Sequence, residues 1–170
     1  MRRPQLHRIF GVPRYDGLCN ALAGDVTPEE AAEKYIKTTE VPNLSLLTCG
    51  PTPPNPAELC QSERLRNVLE YLADGFDWVV LDSPPLLTVT DPVVLGTQCD
   101  GTVIVARTGQ TPKASLQVAY RTLADVGVQV LGCVLNDLDL AHHSYYRYLR
   151  YRYYAYGYYR YRSSKESESA

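Results

Sequence analysis

The chain has 170 residues, 45% of them hydrophobic and 21% charged, and a net charge of −2. That length and balance suit one globular domain with additions, and exclude a generic polyanion-binding protein. No apolar run approaches the ~20 residues needed to cross a bilayer, and Met1-Arg2-Arg3-Pro4 is not followed by the apolar stretch of a signal peptide. The sequence is therefore read as cytoplasmic, with membrane contact made only through a partner. The five cysteines, Cys19, Cys49, Cys60, Cys99 and Cys133, lie apart with no C-x-x-C pair. They are expected as small buried residues in a reducing compartment.

In chain order, a charged start leads into a loop at residues 11–15. A short helix is expected over 18–23, then a second starting with Thr27 as N-cap and Glu29 and Glu30 in its first turn. Residues 44–49 read as a strand ending at Gly50, followed by a stiff loop with four prolines, 51–56. One helix is expected over 57–73, with Leu59, Leu65, Val68, Leu69 and Leu72 as its apolar stripe. Residues 78–82, 101–106 and 130–135 are continuous apolar runs, the pattern of buried strands in a parallel sheet covered on both faces. Between the last two, Thr111-Pro112 starts a helix whose inner face is Leu116, Ala119, Tyr120 and Leu123, stopped by Gly127. The alternation predicts an α/β fold: a doubly wound, mostly parallel sheet with helices on both faces. Four strands are few for that class, and the sheet reads as incomplete at its N-terminus.

The candidate chemistry gathers at strand ends. Val79-Val80-Leu81-Asp82-Ser83-Pro84-Pro85 delivers a carboxylate at the C-terminal end of an apolar run, where open α/β sheets bind ligands. Asp82 can hold Mg²⁺ or orient an attacking hydroxyl, or it can simply cap the turn that follows. Asn136 closes the last run and can contact a purine ring or serve a turn; the turn is favoured by spacing. Arg107 is a phosphate or subunit contact, or by default a surface residue. Asp91 reads as an N-cap with Pro92 behind it. His7, His142 and His143 show no metal spacing and read as surface residues. No G-x-x-x-x-G-K-[ST] phosphate loop occurs in the chain.

The end of the chain has a different composition. From 145 to 162 there are ten tyrosines (Tyr145, Tyr146, Tyr148, Tyr151, Tyr153, Tyr154, Tyr156, Tyr158, Tyr159 and Tyr161), five arginines and no acid. Residues 145–170 carry five Arg and one Lys against two Glu, a net +4 that leaves −6 on the rest. With Leu149 its one large aliphatic residue, this stretch builds no core and is expected to be disordered. The division is thus a domain over 1–140 and a tail over 141–170. Three readings of the tail compete: a nucleic-acid-binding Arg/Tyr segment, an inert solvated tail, or a cluster of phosphate acceptors. Each phosphotyrosine adds about −1.5 to −2 charges, so two or three would cancel the +4. Extended at ~3.3 Å per residue, residues 137–161 reach ~80 Å, enough to enter a neighbouring subunit.

Taken together, these pieces resemble the bacterial tyrosine autokinases (BY-kinases) of capsule and exopolysaccharide biosynthesis, relatives of the MinD/ParA-type P-loop ATPases. The matching residues are Arg2 to His7, Gly17-Leu18, Gly50 to Leu59, Leu81-Asp82-Ser83-Pro84-Pro85, Thr90-Asp91, Val105-Ala106-Arg107, Val134-Leu135-Asn136 and the tyrosine tail. The resemblance implies that Asp82 is the Walker B aspartate, a Mg²⁺ ligand and activator of the tyrosine hydroxyl. It implies that Arg2 is the arginine of the Walker A′ motif, a catalytic residue, and that Arg107 and Asn136 contact the nucleotide. It also implies that the ten tyrosines are the phosphoacceptors. ATP and Mg²⁺ are the cofactors it implies. As partners it implies a membrane-spanning chain-length regulator, further copies of the kinase arranged in a ring that phosphorylates in trans, and a tyrosine phosphatase, with no nucleic acid. The location is the inner face of the plasma membrane. Two family aspartates and the Walker A loop would lie before Met1, so the chain reads as an N-terminally truncated member, inactive alone. The alternative is a non-catalytic regulatory module whose tail another kinase phosphorylates; the reading frame upstream of Met1 separates the two.

Overall fold

The computed structural model describes residues 4–138. Arg2, His142, His143 and the tyrosine stretch lie outside them. By its contacts the chain divides into two units, residues 1–104 with 113–132, and residues 105–112 with 133–170.

The first unit opens with a single turn, α1 (Leu6–Ile9), and two short helices, α2 (Leu18–Ala23) and α3 (Pro28–Tyr35). The start of α3 follows the sequence signal. Thr27 Oγ1 accepts from the Glu30 N–H at 3.2 Å, and Glu30 Oε2 accepts from the Thr27 N–H at 2.8 Å. This reciprocal box satisfies two helix-end donors, and Pro28 sits where no donor is needed. Helix α3 runs straight into β1 (Ile36–Thr38), which pairs antiparallel with β2 (Ser45–Leu47), Ile36 opposite Leu47. Ala21, Ala31 and Tyr35 form a buried cluster, with Val26 and Leu47 packed against it.

The start of α2 rests on the end of β2. Leu18 N–H donates to Thr48 O at 2.8 Å, and Cys19 N–H to Cys49 O at 2.9 Å. Only glycine fits at residue 17, since a Cβ there would strike Thr48 O and come within 2.7 Å of Gly50 N.

The helix expected over 57–73 is two helices, α4 (Pro56–Gln61) and α5 (Glu63–Gly75). Ser62 breaks it. Its ψ is 143°, its hydroxyl donates to Leu59 O at 2.8 Å, and its Oγ accepts from the Leu65 N–H at 3.2 Å. One side chain thus closes one helix and caps the next, the competition with backbone that disfavours serine inside helices. Leu65, Val68 and Leu72 form the buried stripe of α5, which packs on α3.

Residues 78–82 were expected as a buried strand; they join no ladder, and Trp78 and Val80 are each 86% exposed. The apolar run is present but no described strand lies beside it to accept its backbone bonds. Helix α6 (Asp91–Gly96) begins one residue earlier than expected: Thr90 is the N-cap, Asp91 the first helical residue and Pro92 the second.

Strand β3 (Thr102–Arg107), helix α7 (Lys113–Ala124) and strand β4 (Val130–Asn136) form a β–α–β unit. Thr102 N–H bonds Gln129 O at 2.8 Å and Thr108 N–H bonds Asn136 O at 2.9 Å, so the two strands run parallel. Leu123 and Ala119 face inward on α7, but Tyr120 is exposed, against the expectation from its spacing. The strands are not covered on both faces either. Ala106 is buried, whereas Val103, Val105, Leu131, Val134 and Leu135 are exposed. The α/β class with parallel strands and an incomplete sheet stands.

Candidate functional site

A cleft of about 240 Å³ lies within the first unit. Its walls come from α1, the end of β2, the buried stripe of α5, and residues 78–82. Apolar side chains such as Leu46, Leu65 and Val68 make most of the lining, and five titratable groups interrupt it: His7, Cys49, Cys60, Asp82 and Asp91.

Asp82 is exposed and has no hydrogen-bond or ion-pair partner among the described residues. Ser83 separates it from Pro84 and Pro85, two residues that carry no backbone donor of their own. Such a carboxylate is free to bind a hard cation. Mg²⁺ takes oxygen ligands, commonly one or two carboxylates with water and substrate phosphates for the rest. The donor at Asp82 fits that ion. The described residues do not fit the phosphates of a nucleotide, because none forms the glycine-rich backbone cradle that phosphates require. Among the described residues no group of three or more metal-ligating side chains occurs.

Asp91 lines the same cleft at 2% exposure. Its position at the start of α6 places its charge near the positive end of the helix dipole. His7, expected on the surface, lies against the cleft with Nδ1 buried and without a hydrogen-bond partner among the described residues. Loss of water around the ring and the nearby charges of Arg14 and Arg8 lower its pKa, so the neutral imidazole is favoured.

The second unit holds the other two predicted positions, at the C-terminal ends of β3 and β4. Arg107 Nε pairs with Asp137 Oδ2 at 2.7 Å. Asn136 Oδ1 accepts from the Asp137 N–H at 2.9 Å, and Asp137 takes a positive φ of 59°. Asn136 thus serves the turn, the role its spacing favoured, with its NH₂ group left as the donor. Sequence reasoning passed over Asp137. The signal was an Asn-Asp pair at a strand end, which tolerates the left-handed conformation a tight turn needs.

No protein-family model matches the chain. It is 37% identical over 148 residues to CapB of Staphylococcus aureus, covering 87% of this chain and 63% of that protein. To the tyrosine-protein kinase YwqD of Bacillus subtilis it is 34% identical over 148 residues, covering 87% and 61%. The chain belongs to the bacterial tyrosine-protein kinase family. Solved structures agree. The kinase domain of Escherichia coli tyrosine kinase ETK superposes with a TM-score of 0.76 at 32% identity, over 84% of this chain and 55% of that one. The chimerical protein CapA2B2 gives 0.74 at 32% identity, over 81% and 59%. This family member therefore spans less than two thirds of the length of the curated relatives it matches.

Proposed function

We propose that this chain is part of an ATP-dependent protein-tyrosine autokinase that regulates polysaccharide synthesis or export. The observation that carries the reading is its 37% identity over 87% of its length to a bacterial tyrosine-kinase relative, joined to an unpaired carboxylate at Asp82. In this reading Asp82 holds Mg²⁺ and orients the attacking hydroxyl. A tyrosine hydroxyl has a pKa of ~10 and needs a nearby carboxylate or metal to react. Bound Mg·ATP would supply the phosphoryl group. Asn136 offers its amide NH₂ to the base, Arg107 exchanges Asp137 for a nucleotide or subunit contact, and Arg2 belongs to the catalytic set. The acceptors are the ten tyrosines from Tyr145 to Tyr161, phosphorylated in trans by another copy. The partners are a membrane-spanning chain-length regulator and a tyrosine phosphatase, at the inner face of the plasma membrane. No helix among the described residues is long and apolar enough to cross a membrane.

The test is a phosphotyrosine blot with Mg·ATP. The 170-residue chain alone is expected to stay unlabelled. Mixed with an active kinase of the family, it is expected to become labelled within residues 145–161. Strong self-labelling by the chain alone would overturn its inactivity, and an unlabelled tail in the mixture would overturn its role as acceptor.

A further inference from the structure

The sequence separates Cys19 and Cys49 by thirty residues, and the fold brings them together. Their sulfur atoms lie 3.4 Å apart, in van der Waals and hydrogen-bonding contact. The backbones are joined as well, through Cys19 N–H to Cys49 O at 2.9 Å. A direct backbone hydrogen bond holds two Cα atoms within the span a disulfide bridges, and side chains that already touch need little rotation to close one. Both residues belong to the first unit, and the junction around them is closely packed. Gly17 and Gly50 allow no side chain, and Lys37 Nζ ties Asp16 with a 2.7 Å ion pair and a 2.8 Å bond to its carbonyl.

We propose that Cys19 and Cys49 are a modification site, a thiol pair that closes reversibly to a disulfide by exchange with a low-molecular-weight disulfide. Cys49 is the attacking sulfur. It is the more accessible of the two, Cys19 being 6% exposed. The hydrogen bond from Cys19 lowers its pKa, and Arg14 lowers it further. Arg14 is held at that spot, with Nε on Gly50 O at 3.3 Å and Nη2 on Thr52 Oγ1 at 2.7 Å. The thiolate of Cys49 displaces one thiolate from the incoming disulfide and keeps the other half as a mixed disulfide. Cys19 gives up its proton, attacks the Cys49 sulfur and expels the second half. Two protein thiols and one small disulfide thus become one protein disulfide and two small thiols, with electrons and protons balanced. In a reducing compartment the bond opens again, as expected of the transient disulfides found there. The closed form pins the start of α2 to the head of the proline loop at residues 51–56.

The experiment treats the folded 170-residue chain with oxidised glutathione, followed by thiol counting and peptide mapping. Two of the five thiols should be lost, with no glutathione retained at either position and a cross-linked peptide joining Cys19 to Cys49. Dithiothreitol should restore both thiols. Cys19→Ser should trap glutathione on Cys49, while Cys49→Ser should leave Cys19 unmodified. The double variant Cys99→Ser/Cys133→Ser removes two exposed thiols and should close the same bond, so the result stands even if a Cys19 variant fails to fold. A lasting glutathione adduct on wild-type Cys49, a link to Cys60, or thiols at 19 and 49 that survive treatment would each overturn the proposal.

Discussion

An alanine at position 17 would drive its methyl group into the carbonyl oxygen of Thr48. Gly17→Ala is therefore expected to cost about 1–3 kcal/mol, the range for forcing extra volume into a packed site, measured as a lower urea midpoint at unchanged slope. Leu65, at 1% exposure, is the opposite case. Leu65→Ala empties space in the middle of the α5 stripe and is expected to cost about 2–5 kcal/mol by the same measurement. The thiols differ in a pH-dependent way. Partial loss of water around the otherwise exposed sulfur, and then the neighbouring Asp100, raise the Cys99 pKa, whereas the bond from Cys19 and the charge of Arg14 lower that of Cys49. Alkylation needs the thiolate. As pH falls through the ordinary thiol range, iodoacetamide labelling of Cys99 should fail first and that of Cys49 should persist. Equal decline at both sites would contradict the arrangement.

At the scale of elements, Ser62 is the informative residue. The apolar spacing of Leu65, Val68 and Leu72 was legible, and those side chains do face inward. The break was not, because a serine inside a periodic run is compatible with a continuous helix until its hydroxyl finds a free backbone group at each side. Ser62→Ala removes the cap on the Leu65 N–H. It should cost about 1 kcal/mol, the usual worth of an N-cap, with a gain in helical circular dichroism if the two helices merge. β1 was missed for a related reason. Three residues, Ile36-Lys37-Thr38, are too short to show a period, and only the partner β2 defines them as a strand. Residues 78–82 failed in the other direction. Their composition is that of an interior strand, but a strand exists only where another backbone accepts its hydrogen bonds. Asp82 could be singled out from the sequence because a carboxylate closing an apolar run is a local signal. Its company, His7 and Asp91, is set by tertiary packing and could not be read from spacing.

At the scale of the whole molecule, the described residues leave an unusual amount of large apolar surface open, on residues 78–80 and along β3 and β4. Large exposed apolar surface is uncommon on monomeric soluble proteins. The isolated chain is expected to bind a hydrophobic dye and to melt over a broad range. A sharp, dye-free transition would argue against that. Charge is divided as unevenly as surface, −6 before residue 145 and +4 after it. If the proposed acceptors are filled, two or three phosphates cancel the tail's attraction for the rest of the chain.

Trp78 gives that open surface an optical consequence. It is the single tryptophan of the sequence, and it stands 86% exposed in the segment that should have been a strand. Its emission should be that of an indole in water, and a soluble quencher should reach it freely. Any chain that pairs with residues 78–82 and buries the ring will shift the emission to shorter wavelength and shield it from the quencher. The protein thus carries its own fluorescent gauge of whether its sheet has been completed.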